Sequence, residues 1–166
     1  MKYFFSLIFV CSIYIFYKGL QIDPNLIPSN LISKSIPEFS IKSLKNNDFS
    51  HFELKNKEVV VLNFFASWCP PCRVEHRQLI KIGQHTPVYG IAKKNRKNDL
   101  VPWLEELGNP YQKIGMDYDG SLSINWGVYG LPETFIILNG VIKYRHVGPI
   151  MDADLEIFND ITKKLK

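Results

Sequence analysis

The sequence is short of cysteine: three occur in 166 residues, at positions 11, 69 and 72. That number excludes a disulfide-stapled scaffold and falls one short of a four-cysteine zinc site. Paired metal-binding histidines are missing too, since none of His51, His76, His85 and His146 forms an H-x(3–5)-H pair. The chain has no flavin or nicotinamide motif, no internal repeat and no low-complexity tract. A dense basic stripe is also absent. The formal charge of +4 includes Lys2 and Lys18, which leaves 18 basic against 16 acidic residues from position 19 onward, or +2. That balance argues against a nucleic-acid binder. With 46% hydrophobic and 22% charged residues, and ten glycines and ten prolines dispersed along the chain, disorder and collagen-like repeats are excluded. The length suits one domain with a short appendage.

Charge is absent from Tyr3 to Tyr17 (YFFSLIFVCSIYIFY), which is almost wholly apolar or aromatic. As a helix these residues reach only about 22 Å, but extension to Ile22 gives about 30 Å, the thickness of a hydrocarbon core. Lys18 would then snorkel toward the headgroups, and Tyr3, Tyr14 and Tyr17 suit an interfacial belt. Three readings compete. A cleaved signal peptide wants small residues at the cut, and GLQIDPN offers no such pair. A buried core helix would need a larger protein around it. An uncleaved anchor over residues 1–22 fits best, although Lys2 before the span and Lys18 after it leave little charge bias for orientation. Cys11 reads as a small hydrophobe within the span. Residues 23–35 read as a periplasmic stalk, and a domain is expected over residues 36–166.

Within that domain, Glu58 to Phe65 is a β-branched and aromatic run typical of a strand buried on both faces. Pro70 to Gly83 reads as a helix, opened by proline and closed by glycine. Pro87 to Ala92 reads as a strand, Asp99 to Leu107 as a helix, Gln112 to Met116 as a short strand and Ser121 to Trp126 as a helical turn. Thr134 to Leu138 and Val141 to His146 flank Asn139-Gly140, a strong hairpin signal. Asp152 to Leu165 is an amphipathic helix. The order implies an α/β fold: a mixed central sheet with helices on both faces, following an N-terminal transmembrane helix.

Trp68-Cys69-Pro70-Pro71-Cys72 sits where the central strand gives way to its helix. With Cys69 as N-cap, its sulfur faces unpaired N–H groups and the positive end of the helix dipole, both favouring thiolate. Pro70 at the first helical position sacrifices no hydrogen bond. Cys72 lies one turn on, close enough to close a disulfide, so the outer sulfur can attack a substrate disulfide and the inner one resolve it. Half a zinc site is one alternative, with His76 awkwardly placed four residues from Cys72 on the same helix. An inert disulfide is another, although so short a loop constrains little chain. A copper relay is a third, but such sites normally have three residues between the cysteines.

Through VVVLNFFASWCPPC the chain resembles the thioredoxin superfamily. Through WCPPCRVEH, LGNPY and GVYGLPETFIILNGVIKYRHVGP (Gly127 to Pro149) it resembles the membrane-anchored cytochrome c biogenesis thiol:disulfide interchange proteins, the CcmG/DsbE family. The resemblance implies a thioredoxin-like fold and a disulfide reductase working without cofactor beyond the Cys69–Cys72 disulfide. It implies catalytic roles for Cys69, Cys72 and Glu75, the last as proton relay. Position i+3 from Cys72 independently puts Glu75 on the same helical face. Substrate-side roles fall to Trp68, to Pro132 as a cis proline, and to Glu133 as negative charge beside the site. Asn63 departs from the superfamily, because thioredoxin has a buried aspartate there. Pro71 departs from the branch, which more often has threonine. His76 reads as a surface helix residue.

The implied partners are apocytochrome c or thiol proteins of its maturation, a membrane electron carrier that re-reduces the dithiol, and the inner membrane; nucleic acid is excluded. The expected placement is a single-pass protein of a bacterial inner membrane with its catalytic domain in the periplasm. Two alternatives stand beside this reading: a general envelope dithiol oxidase or isomerase, and a non-catalytic module that handles apocytochrome or haem.

Overall fold

The computed structural model describes residues 2–20 and 31–165. Helix α1 (Lys2–Leu20) covers the expected anchor, with Phe9, Ile15, Phe16 and Leu20 exposed. Among the described residues no helix is long and apolar enough to cross a membrane. The end of the expected anchor and most of the expected stalk fall in residues 21–30, outside the described residues.

Strand β3 (Val59–Phe65) is the axis of the domain, buried along its whole length. Its alternation sends Val59, Val61 and Phe65 into one core cluster and Val60, Leu62 and Phe64 into the other. Asn63 is the one polar residue in the run. β3 pairs in parallel with β4 (Val88–Lys93), which pairs in parallel with β5 (Lys113–Asp117). On its other side it pairs antiparallel with β6 (Glu133–Leu138), and β6 with β7 (Val141–Val147). The sheet order is therefore β5-β4-β3-β6-β7. The β6–β7 turn is at Asn139-Gly140, where both residues adopt positive φ, the geometry that favours this dipeptide in hairpins.

One face of the sheet carries α3 (Pro70–Gly83), α4 (Lys97–Leu107) and α6 (Asp152–Leu165), through Leu79 and Ile82, Leu100 and Trp103, and Phe158. The opposite face carries α2 (His51–Lys55) and α5 (Ser121–Asn125), through Leu54 and Leu122 around Trp126. The expected mixed sheet with helices on both faces is what forms.

The sequence reading contains neither β1 (Ser40–Lys42), β2 (Asp48–Ser50) nor α2. Strands of three residues are too short to display a period of two. Their place is set by tertiary contact: the Leu44 N–H donates to the Ile114 carbonyl at 2.8 Å, so the hairpin covers the β5 edge. The β7 edge is covered by residues 33–36, with Ser33 N–H donating to the Ile142 carbonyl at 2.8 Å and Ile36 N–H to that of Gly140 at 2.9 Å. Exposed sheet edges invite pairing with other chains, and both edges here are occupied over part of their length.

Gly90 on β4 faces the Phe65–Tyr111 ring stack, whose centroids are 4.6 Å apart. A Cβ at Gly90 would lie 2.8 Å from the Phe65 ring and 2.9 Å from that of Tyr111. Gly90→Ala should therefore destabilise the domain by about 1–3 kcal/mol through overpacking. Urea denaturation checks this, and a change under about 0.5 kcal/mol, the size of an ordinary surface substitution, would mean that the stack moves aside freely.

Candidate active site

The turn between β3 and α3 is held by the loop after β4. Ser67 N–H donates to Asn95 Oδ1 at 2.6 Å, and Asn95 Nδ2 donates to Ser67 Oγ at 2.9 Å. The Trp68 indole N–H donates to the Lys94 carbonyl at 3.1 Å, which fixes the ring while leaving it 58% exposed. Cys69 then caps α3 in extended conformation, its Sγ accepting from the Cys72 N–H at 3.3 Å, with Pro70 next in the first turn. A thiolate at Cys69 would receive that N–H and the helix dipole together. The two cysteines form a disulfide with Cα atoms 5.3 Å apart.

Both cysteines are buried, but only Cys69 lines a groove, together with Trp68, Pro71, Tyr129, Gly130 and Leu131. The Leu131–Pro132 peptide bond is cis. The Gly130 N–H is engaged by Glu133, whereas the main chain of Leu131 makes no hydrogen bond among the described residues. An unpaired stretch of backbone thus stands beside the outer sulfur.

Glu75 is fully buried one turn beyond Cys72. Its Oε1 accepts from Asn63 Nδ2 at 2.8 Å and its Oε2 from the Ile150 N–H at 3.0 Å. Burial pushes its carboxyl up to about 8, with the two N–H donors opposing the rise. Asn63 also donates to Thr134 Oγ1 at 2.9 Å and accepts from the Tyr111 hydroxyl at 2.9 Å.

Two expectations are corrected. Glu133 does not present charge beside the dithiol. It lies opposite Phe64 in the β3–β6 register and is fully buried. Its Oε1 accepts from the Tyr129 and Gly130 N–H groups at 3.0 and 3.3 Å, and its Oε2 pairs with Arg145 at 2.6 Å. Glu133 thus clasps the loop before Pro132, and the one charged residue lining the groove is Lys93. His76, expected on the surface, is only 2% exposed because α4 covers it. Trp103 packs edge-on against its ring at 4.5 Å, its Nε2 bonds the Gly108 carbonyl at 2.8 Å, and burial holds its pKa below the usual value.

Sequence reasoning assigned no role to Asn95, Tyr111, Thr134, Arg145 or Ile150. Tyr111 falls in LGNPY, and Thr134 and Arg145 fall in the Gly127–Pro149 stretch, so the signal for these three was present without a chemical meaning. No three His, Cys, Asp or Glu side chains lie together as a metal site among the described residues.

The buried disulfide thus sits at a helix N-terminus, in a groove that the cis Leu131–Pro132 bond borders. Residues 32–145 match the model of the AhpC/TSA family. The chain belongs to that family. It is 40% identical over 147 residues to the thiol:disulfide interchange protein DsbE of Allochromatium vinosum, covering 86% of this chain and 81% of that protein. To DsbE of Escherichia coli (strain K12) it is 43% identical over 132 residues, covering 77% and 71%. The crystal structure of a putative thiol:disulfide interchange protein DsbE from Chlorobium tepidum superposes with a TM-score of 0.71 at 25% identity, covering 81% of this chain and 98% of that one. The protein is a thioredoxin-like thiol:disulfide oxidoreductase of the DsbE type.

Glu75 gives this enzyme a pH signature. Folded, it keeps its proton up to about pH 8; unfolded, it releases it near the ordinary value of 4.5. Between those values the folded state binds the extra proton, so stability is greatest below the window and is lost as pH rises through it. The contribution should approach about 1.4 kcal/mol per pH unit within the window. Denaturant titrations from pH 4 to 9 should show that slope in the native chain and its loss in Glu75→Gln; equal slopes in both would remove Glu75 as the source.

Proposed function

We propose that this oxidoreductase works as a reductant in cytochrome c maturation, reducing the disulfide of the apocytochrome C-x-x-C-H motif or a partner's mixed disulfide. The observation that carries this reading is the groove itself: unpaired Leu131 backbone beside Cys69, next to the cis bond at Pro132. An extended peptide can lie along that backbone and bring its disulfide to the outer sulfur. Identity of 40% and 43% to two DsbE thiol:disulfide interchange proteins supports the thiol–disulfide exchange on which this role rests.

In this reaction the Cys69 thiolate attacks one sulfur of the substrate disulfide and the other leaves as a thiol. Cys72 passes its proton to Glu75 and attacks Cys69 Sγ, which releases the second substrate thiol and forms the Cys69–Cys72 disulfide. Trp68 shields the dithiol from one side. The disulfide is the only redox group required, and a membrane electron carrier restores the dithiol. Haem attaches to free thiols, so an oxidising compartment needs such a local reductant.

Helix α1 on its own does not meet the length and apolarity of a membrane span. Its exposed apolar surface, with the sequence continuing to Ile22, nevertheless supports a role as the anchor that holds residues 36–166 on the periplasmic side of a bacterial inner membrane. Tethering raises the effective concentration of the dithiol near its carrier and substrates.

Equilibration of the full-length protein with glutathione or dithiothreitol, followed by tryptophan fluorescence, should give a reduction potential clearly below about −180 mV. A value near −120 mV, that of a strong oxidant, would reverse the direction and replace reduction by disulfide donation. Cys72→Ala should accumulate a mixed disulfide with an oxidised C-x-x-C-H peptide, whereas Cys69→Ala should not. Removal of residues 2–20 should shift the protein from the membrane to the soluble fraction with thiol exchange intact; a truncated chain that still sediments with membranes would count against α1 as the anchor.

A further inference from the structure

Behind the dithiol runs a chain of buried hydrogen bonds, and one member takes no part in the reaction described above. The Tyr111 hydroxyl donates to Asn63 Oδ1 at 2.9 Å and has no other hydrogen-bond partner among the described residues. A buried O–H without an acceptor is costly, so the carbonyl end of the Asn63 amide is held toward Tyr111. The NH2 end is thereby directed away, toward Glu75 Oε1 at 2.8 Å and Thr134 Oγ1 at 2.9 Å. Turning the amide over would point its carbonyl at the Glu75 carboxylate and strand the phenol proton.

We propose that Tyr111 is a positioning residue: through the Asn63 amide it keeps an N–H donor on Glu75 and so sets the pH at which that carboxyl takes up a proton. This deepens the proton-relay reading of Glu75 and rests on it for its consequence in catalysis. In the mixed-disulfide intermediate Cys72 can lose its proton to Glu75 only while Glu75 is ionised. The Cys72 thiolate then bonds to Cys69 Sγ, the bond from Cys69 to the substrate breaks, and the substrate sulfur leaves with the electron pair.

The groups facing Glu75 are few. Asn63 from β3 and Ile150 N–H from the turn before α6 are its two donors, and neither is charged. Cys72 and His76 share its helix, and the His76 ring centroid lies 6.1 Å from that of Tyr111. Burial first, and then the nearby ionised carboxylate of Glu75, push the Tyr111 phenol well above its usual value, so Tyr111 remains a donor throughout the working range. Without the hydroxyl, the Asn63 amide is free to turn and offer Oδ1 to a protonated Glu75, which favours the acid form.

Tyr111→Phe keeps the ring and its stack on Phe65 while removing only the hydroxyl. Carbon-13 NMR of the full-length protein labelled at glutamate carboxyls, with Glu75→Gln for assignment, reads the Glu75 titration directly. The midpoint in Tyr111→Phe should rise by about one pH unit, the scale of one hydrogen bond to a charged group. The pH dependence of mixed-disulfide resolution should move with it. Asn63→Ala should raise the midpoint similarly, and the double variant should add nothing, because both act on one path. Phe65→Leu, which disturbs ring packing on Tyr111 and Trp103 and removes no hydrogen bond of the Tyr111–Asn63–Glu75 path, should lower stability and leave the midpoint in place. An unmoved midpoint in Tyr111→Phe, or fully additive shifts in the double variant, overturns the proposal. Wild-type pH dependence of resolution in Glu75→Gln would instead sink the relay reading, with the midpoint shift still deciding the role of Tyr111.

Discussion

A strand buried on both faces imposes a strict condition: a polar side chain on it must find every hydrogen bond inside the protein. Asn63 is that side chain on β3, and satisfying it gathers much of the site. Its amide draws Tyr111 from the approach to β5, Thr134 from β6 and Glu75 from α3. Glu75 in turn ties the turn before α6 through Ile150. Four parts of the chain, distant in sequence, are referenced to one amide. A half-satisfied network of this kind would destabilise the core, whereas a complete one defines a unique arrangement.

The dithiol sits at the margin of this network, where its two sulfurs acquire different surroundings. Cys69, at the helix N-terminus, lines the groove and receives an N–H, which suits a leaving and attacking sulfur. Cys72 lies inside, one turn from a carboxyl whose proton affinity is lifted by burial. The asymmetry follows from position alone: one residue caps the helix and the other belongs to its inner face.

The groove opposite Cys69 is shaped by a second buried polar device. Arg145 and Glu133 form an ion pair with side-chain exposures of only 7% and 0%, and removing either partner would leave a buried charge uncompensated. Glu133 spends its other oxygen on the N–H groups of Tyr129 and Gly130, while Arg145 reaches the Gly127 carbonyl at 2.8 Å and lies over the Tyr129 ring. The loop before Pro132 is thereby held against the sheet, with the Leu131 backbone left toward the dithiol. The GVYGLPETF and YRHVGP stretches are in effect the two halves of this clasp.

Much of the fold was legible in the chain because its signals are local. The run from Val59 to Phe65, the proline–glycine punctuation of α3, the Asn139-Gly140 turn and the amphipathic α6 each state their structure over a few residues. The dithiol is equally local, as is the placement of Glu75 on the same helical face. The hairpin of residues 40–50 was not legible, since its three-residue strands exist by docking on β5. The same holds for the two corrected residues. Glu133 reads as negative charge beside the site until Arg145, twelve positions on, folds over it, and His76 looks exposed until α4 covers its side of the helix. Sequence by itself determined the elements from β3 onward, their order and the cysteine pair, because these depend on near neighbours along the chain. Which polar groups are buried, what they are bonded to and hence how they titrate was decided only by tertiary structure, because a hydrogen-bond partner dozens of residues away leaves no periodic trace.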